Sequence, residues 1–229
     1  MLDTVLFELE GVIADTGEAR RDAIIASLRA DGVIVPEAAY RDHCAGLSFE
    51  DAVRAAGRAL DGPVDETAIA IAAHRAERAY RAYIGKGLTL VEGARETLER
   101  LHGSARLGLV TRAPRDDALF VLSLARMDHL FTCVVAAEDA PPKPSPEPYR
   151  LALSRLQRAR ARVVRGTAVA LEDGRPGIQS ARAAGIPTVI VGDLPAHVAL
   201  EADAWLPSLA GATAESLLSL VAPRIEPNV

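Results

Sequence analysis

Two acidic residues, Glu8 and Glu10, close the run Thr4–Phe7 and are followed at once by Gly11. The run reads as a buried strand over residues 4–10, broken by the glycine. Side chains two positions apart on a strand face the same side. Both carboxylates therefore project from a strand's C-terminal end, where open α/β sheets bind ligands. Paired carboxylates there suit a divalent cation and a nucleophile or acid–base pair.

Three later stretches place chemistry-bearing residues after strands or in stiff loops. Thr111-Arg112 follows the apolar run Leu107–Val110. Taken alone, such a threonine is most simply the cap of the next helix. Lys143 lies in Pro141-Pro142-Lys143-Pro144-Ser145-Pro146-Glu147-Pro148-Tyr149. Its bland reading is a solvated lysine on a rigid turn, with Pro146 in the first turn of the following helix. Glu172-Asp173-Gly174 follows a strand expected over 167–171. In isolation that pair is an acidic helix start, favoured by the macrodipole.

Composition narrows the field. A chain of 229 residues that is 49% hydrophobic supports one core domain plus a modest insertion. A net charge of −5 argues against a nucleic-acid partner. Of 26 basic residues only Lys86 and Lys143 are lysines, so a retained lysine points to a need for an ammonium rather than a planar fork. Cys44 and Cys133 are too few for a disulfide framework. With no signal peptide in view, a reducing cytoplasm is the expected location. No apolar run approaches the ~20 residues of a membrane span. His43, His74, His102, His129 and His197 show no ligand spacing.

The elements that must position these residues alternate in type. From Gly17 to about Ala82 the pattern is helical and strand-poor, with Ala23, Ile24, Ser27 and Leu28 on one face and Ala52, Val53, Ala56 and Leu60 on another. Strand–helix alternation then resumes: helix 94–101, strand 107–110, helix 116–125, strand 133–136, helix 146–156, strand 167–171, helix 176–184, strand 187–191, a short strand 204–206 and helix 214–220. The fold class implied is α/β, a doubly wound parallel sheet with helices on both faces.

Residues 6–16, Leu-Phe-Glu-Leu-Glu-Gly-Val-Ile-Ala-Asp-Thr, resemble the signature of the haloacid dehalogenase superfamily, Phe-Asp-Leu-Asp-Gly-Val-hydrophobic-x-Asp-Thr. The three later stretches resemble the other motifs of that superfamily, in order, and together they span residues 6–179. The subgroup resembled is that of phosphoglycolate phosphatases and β-phosphoglucomutases. The resemblance implies a Rossmann-like core over 1–15 and 83–229, with an all-helical cap inserted over 16–82. It implies Mg²⁺ as cofactor and a small phosphorylated metabolite as partner; the composition leads to the expectation of no nucleic-acid or membrane partner, and a monomer is expected although the sequence does not fix the oligomeric state.

Carried over position by position, Glu8 corresponds to the nucleophile and a metal ligand. Glu10 corresponds to the acid–base, contributing its backbone carbonyl to the metal. Thr111, Arg112 and Lys143 correspond to the phosphate-holding elements, Asp173 to a metal ligand and Glu172 to its helper. In the cap, Arg20 and Ser48 (within Ala45-Gly46-Leu47-Ser48-Phe49) fall where substrate is met. Asp15 falls at the hinge into the cap. The pattern departs from the family at both aspartates of the first motif, which are glutamates here. Ala45, Phe49 and Arg20 also depart from the phosphosugar mutases.

A glutamate is longer than an aspartate by one C–C bond, about 1.5 Å. Misplacement by ~1 Å can cost ~10²-fold in rate. Glutamate is nonetheless a competent carboxylate nucleophile. Two functions follow as expectations. One is Mg²⁺-dependent hydrolysis of a small phosphomonoester through Glu8. The other is a catalytically impaired homologue that binds a phosphorylated ligand or a protein. A dehalogenase would have no need of the Glu172-Asp173 pair. Phosphonate hydrolysis lacks a cap lysine, since neither Lys86 nor Lys143 lies in that segment.

Overall fold

The computed structural model describes residues 2–45, 47–159 and 168–222. Gly46 of the helical-segment loop and Thr167, the expected first residue of a strand, lie outside the described residues.

Six parallel strands form one sheet in the order β3-β2-β1-β4-β5-β6. They are β1 (Thr4–Phe7), β2 (Arg106–Val110), β3 (Cys133–Val135), β4 (Ala168–Glu172), β5 (Thr188–Val191) and β6 (Ala204–Leu206). The order reverses direction at β1, which pairs Phe7 with Leu109 on one side and with Leu171 on the other. A doubly wound sheet binds ligands at such a switch point, outside the carboxyl ends of its strands.

Strand alternation decides which face each residue feeds. Val5 and Phe7 pack into one core layer, and Leu6 into the other. Helices α7 (Glu147–Ala159) and α8 (Arg175–Ala183) cover the Leu6 side; Tyr149, Leu156 and Ala181 meet it there. Helices α5 (Ala94–His102), α6 (Arg115–Leu124) and α10 (Ala214–Val221) cover the opposite face, and a short α9 (Ala196–Ala199) links β5 to β6. All four residues of β1 and all five of β4 are buried, as expected of strands covered on both faces.

Between β1 and α5 lie four helices: α1 (Gly17–Ala30), α2 (Glu37–His43), α3 (Phe49–Ala59) and α4 (Glu66–Ile84). They bury Ile24, Leu28, Val53, Ile69 and Tyr80. Ser27 Oγ donates to the Ala72 carbonyl at 2.7 Å, tying α1 to α4. The last of these helices runs to Ile84, past the boundary expected at Ala82. The two connections to the sheet run side by side and antiparallel. Asp15 N–H donates to Thr89 O at 3.0 Å, and Val91 N–H to Ile13 O at 3.0 Å. Asp15 thus anchors this crossing through its backbone, and its side chain is exposed.

One expectation is corrected here. β1 ends at Phe7, not at residue 10. Glu10 therefore reaches the sheet edge by a turn rather than by strand alternation. Gly11 adopts φ +73° and donates to Ala14 O at 3.0 Å, while Ile13 and Ala14 both donate to Leu9 O. A Cβ on Gly11 would sit 2.7 Å from the Asp173 side chain, so both the backbone angle and the neighbour demand glycine.

Candidate active site

The carboxyl ends of β1, β2 and β4 converge on a small cavity lined by Glu8, Glu10, Arg20, Leu47, Thr111 and Asp173, with Arg112 and Ala113. Its volume is about 20 Å³. A second chamber of about 210 Å³ shares Leu47, Thr111 and Arg112 with it and extends over Ala136, Ala140 and Pro142.

Behind the cavity lies a buried charge network. The Lys143 ammonium donates to Glu8 Oε2 at 2.6 Å, to Val110 O at 2.8 Å and to Glu172 Oε1. These three bonds use all three of its protons. Glu8 is held at its other oxygen as well, where Oε1 accepts from Leu9 N–H at 2.7 Å. Tyr149 Oη donates to Glu172 Oε1. Burial, then the charge of Glu172, drives the Tyr149 hydroxyl well above the usual phenol range. Burial also raises the Glu172 carboxyl, against the opposing pull of Lys143. A Cβ on Gly177 would fall 1.9 Å from Glu172 Oε2, so α8 can approach this carboxylate only through a glycine.

Asp173 stands differently. Its carboxylate lines the cavity, and no hydrogen bond reaches it from the described residues. Burial, then repulsion from Glu172 and Glu8, pushes it up to about 8. A partly buried carboxylate beside two others, with the one lysine already saturated, is short of a cation. The donor set, the carboxylates of Asp173 and Glu8, is the hard-oxygen kind that fits Mg²⁺. That ion is usually held by one or two carboxylates while keeping several waters.

The residues expected at the metal are Glu8, the Glu10 backbone carbonyl and Asp173, with Glu172 as helper. Among the described residues no three Asp, Glu, His or Cys side chains are placed to hold an ion together. Glu172 faces Lys143, Tyr149 and Gly177 and does not line the cavity. Glu10 lines it and accepts from Thr16 Oγ1 at 3.2 Å.

The isolated readings of Thr111 and Asp173 as helix caps fail. α6 is preceded by Pro114 and α8 by Gly174, and neither has a side-chain cap. Thr111 Oγ1 instead accepts from Ala113 N–H at 3.1 Å, which leaves its own proton to donate. Pro146 precedes α7 rather than lying in its first turn.

In the helical segment, Arg20 is buried, lies 4.0 Å over the Phe49 ring and donates to Leu47 O at 2.7 Å. It holds the Leu47 loop against the cavity. Ser48 caps α3, accepting from Asp51 N–H at 3.0 Å and donating to Asp51 Oδ2 at 2.8 Å. It lines the second chamber and not the first.

The sequence reading assigned no role to Tyr149 or to the Arg81–Asp117 pair. Tyr149 carried a signal, its place in the Lys143 motif. Arg81 of α4 meets Asp117 of α6 at 2.8 Å, and Asp117 Oδ2 is buried without a partner. Nothing local marks those two residues.

Comparison with known proteins agrees with this geometry. A family model described as haloacid dehalogenase-like hydrolase matches residues 5–191. The chain belongs to the haloacid dehalogenase-like hydrolase family. It is 33% identical over 163 residues to pyrophosphatase PpaX of Bacillus velezensis, covering 66% of this chain and 68% of that protein. It is 31% identical over 167 residues to imidazoleglycerol-phosphate dehydratase of Phytophthora nicotianae, covering 68% of this chain but only 36% of that protein's length. CbbY from Rhodobacter sphaeroides, solved in complex with phosphate, shares the fold. Its TM-score is 0.80 at 24% identity, covering 92% of this chain and 96% of that one. Among the described residues no helix of this family member is long and apolar enough to cross a membrane.

Proposed function

We propose that this chain hydrolyses a small phosphomonoester with Mg²⁺, and that helices α1–α4 form a cap over its active site. The observation that carries the reading is the meeting of Glu8, Glu10, Thr111, Arg112 and Asp173 around one cavity at the switch point of the sheet. The likeness to PpaX and to phosphate-bound CbbY supports it.

Asp173 and Glu8 would hold the metal, which when bound supplies charge neutralisation for the phosphoryl oxygens. Lys143 fixes the orientation of Glu8. A Glu8 oxygen attacks phosphorus and the bond to the leaving oxygen breaks, giving a glutamyl-phosphate. Glu10 donates the proton that the leaving oxygen needs. Glu10 then takes a proton from water as that water attacks phosphorus, which releases inorganic phosphate and the free Glu8 carboxylate. Thr111 Oγ and the Arg112 backbone N–H orient the phosphoryl group. Lys143 acts here as a positioning residue, because its three donors are already taken.

Single-turnover hydrolysis of a phosphomonoester panel with Mg²⁺ tests this, comparing the natural protein with Glu8→Gln. Turnover that disappears in Glu8→Gln is the expected result. No turnover by the natural protein, with Mg²⁺ still bound, refutes it and leaves a phosphate-site binding protein.

A further inference from the structure

Arg112 is the one guanidinium bordering both chambers without a hydrogen bond or ion pair among the described residues. The arginines around it are committed. Arg20 holds Leu47 O, Arg54 bridges Glu50, Asp51 and Glu66, and Arg115 and Arg155 share Asp139. Arg112 is half-buried and borders both chambers.

The second chamber gives that charge a context. Its walls at Ala136, Ala137, Ala140 and Pro142 offer methyl and ring surface. Its other polar groups are spoken for. Ser48 and Asp51 bond each other, Asp51 also meets Arg54 at 3.1 Å, and Lys143 has no free proton. Hydroxyls of a sugar would find few partners on such walls, and each buried without one is costly. The chamber's volume of about 210 Å³ suits a short leaving group.

We propose that Arg112 is the residue that selects the leaving group, and that the preferred substrate is a phosphomonoester whose short, sparsely hydroxylated leaving group carries a second anion. This rests on the phosphatase reading above. The phosphoryl group lies at the first cavity. The leaving group lies along the second chamber. Its anion meets the planar fork of Arg112, which suits a carboxylate or a second phosphate.

The test uses the full chain with Mg²⁺ and three substrates of one length: propyl phosphate, 3-phosphonooxypropanoate and propane-1,3-diol bisphosphate. The natural protein is expected to favour at least one of the anionic substrates by ~10–100-fold in kcat/KM, the range of a charged hydrogen bond. Arg112→Met is expected to erase that ratio, and Arg112→Lys to retain part of it. A preference for the carboxylate or for the bisphosphate says which anion the fork takes. No preference in the natural protein, or a ratio unchanged in Arg112→Met, overturns the proposal. If none of the three turns over, the phosphatase reading is what has failed. Binding of the same compounds to Glu8→Gln and to Glu8→Gln/Arg112→Met, read by calorimetry, then decides this proposal separately. A preference for the anionic compounds that Arg112→Met abolishes sustains it, and an equal ranking in both variants refutes it.

Discussion

Replacing Lys143 by methionine is the sharpest test of the charge network. The ammonium and its two carboxylate partners are almost wholly removed from water, with side-chain exposures of 2% for Lys143, 7% for Glu8 and 1% for Glu172. Methionine keeps much of the volume and removes the charge, leaving Glu8 and Glu172 buried beside Asp173 without a counter-ion. Breaking a buried pair in this way costs about 3–5 kcal/mol. At 2–4 °C per kcal/mol for a chain of this size, the melting temperature falls by roughly 6–20 °C. Arg54 provides the contrast. Its partners Glu50 and Glu66 have side chains 57% and 73% exposed, so water and salt screen those pairs and their loss should be barely measurable.

The deficit also has a sign with pH. Without Lys143, the Glu172 carboxyl has a folded-state pKa raised further above its unfolded value. The penalty is therefore small below the unfolded value, about 4.3, and grows as pH rises above it. Urea melts of the natural protein, Lys143→Met, Glu172→Gln and the double variant, at pH 5 and pH 8, measure this. The double variant should be more stable than the sum of the single losses predicts. A loss below about 1 kcal/mol for Lys143→Met, or strict additivity in the cycle, refutes the buried-pair reasoning.

In Gly177→Ala the new methyl needs the space of the Glu172 carboxylate, 1.9 Å away, so Glu172 must leave Lys143 and Tyr149. A loss of about 1–3 kcal/mol is expected from overpacking, read by thermal melting; a neutral result means that α8 shifts freely. Asp173→Asn should stabilise the metal-free protein at pH 7, with a ceiling of about 4 kcal/mol set by a carboxyl held near 8 against an ordinary 3.8. That gain is absent below pH 4 and grows up to pH 8. The same variant should lose the Mg²⁺-induced rise in melting temperature, and a rise as large as the natural protein's contradicts Asp173 as a ligand. Asp139 is held at about 2, first by its hydrogen bond from Arg155, with Ala136 N–H and Arg115 adding to the effect. Its contribution is complete above pH 4 and is lost as pH falls through 2. The stability deficit of Asp139→Asn should thus shrink over that window in acid titrations, and a deficit constant with pH denies the pairing.

What the sequence determined by itself was local. The period-two burial of Val5, Leu6 and Phe7, the strand at 204–206 and the glycine after Glu10 all follow from interactions within a few residues, so pattern and turn chemistry specify them. The four motifs likewise announced which strand ends would carry the chemistry. The tertiary structure decided which of those residues face the cavity and which support it from behind. Lys143 and Glu8 are 135 positions apart and Lys143 and Glu172 are 29 apart, yet one ammonium satisfies both carboxylates. That saturation turns an expected phosphate ligand into the support of Glu8. It turns Glu172 away from the cavity and leaves Asp173 without a hydrogen bond among the described residues. Arg112, bordering the same cavity, makes no hydrogen bond or ion pair among the described residues, while Arg20 beside it is committed to the Leu47 carbonyl. Such allocations depend on which groups compete for the same few buried partners. Only the folded arrangement, with water excluded, brings those competitors together.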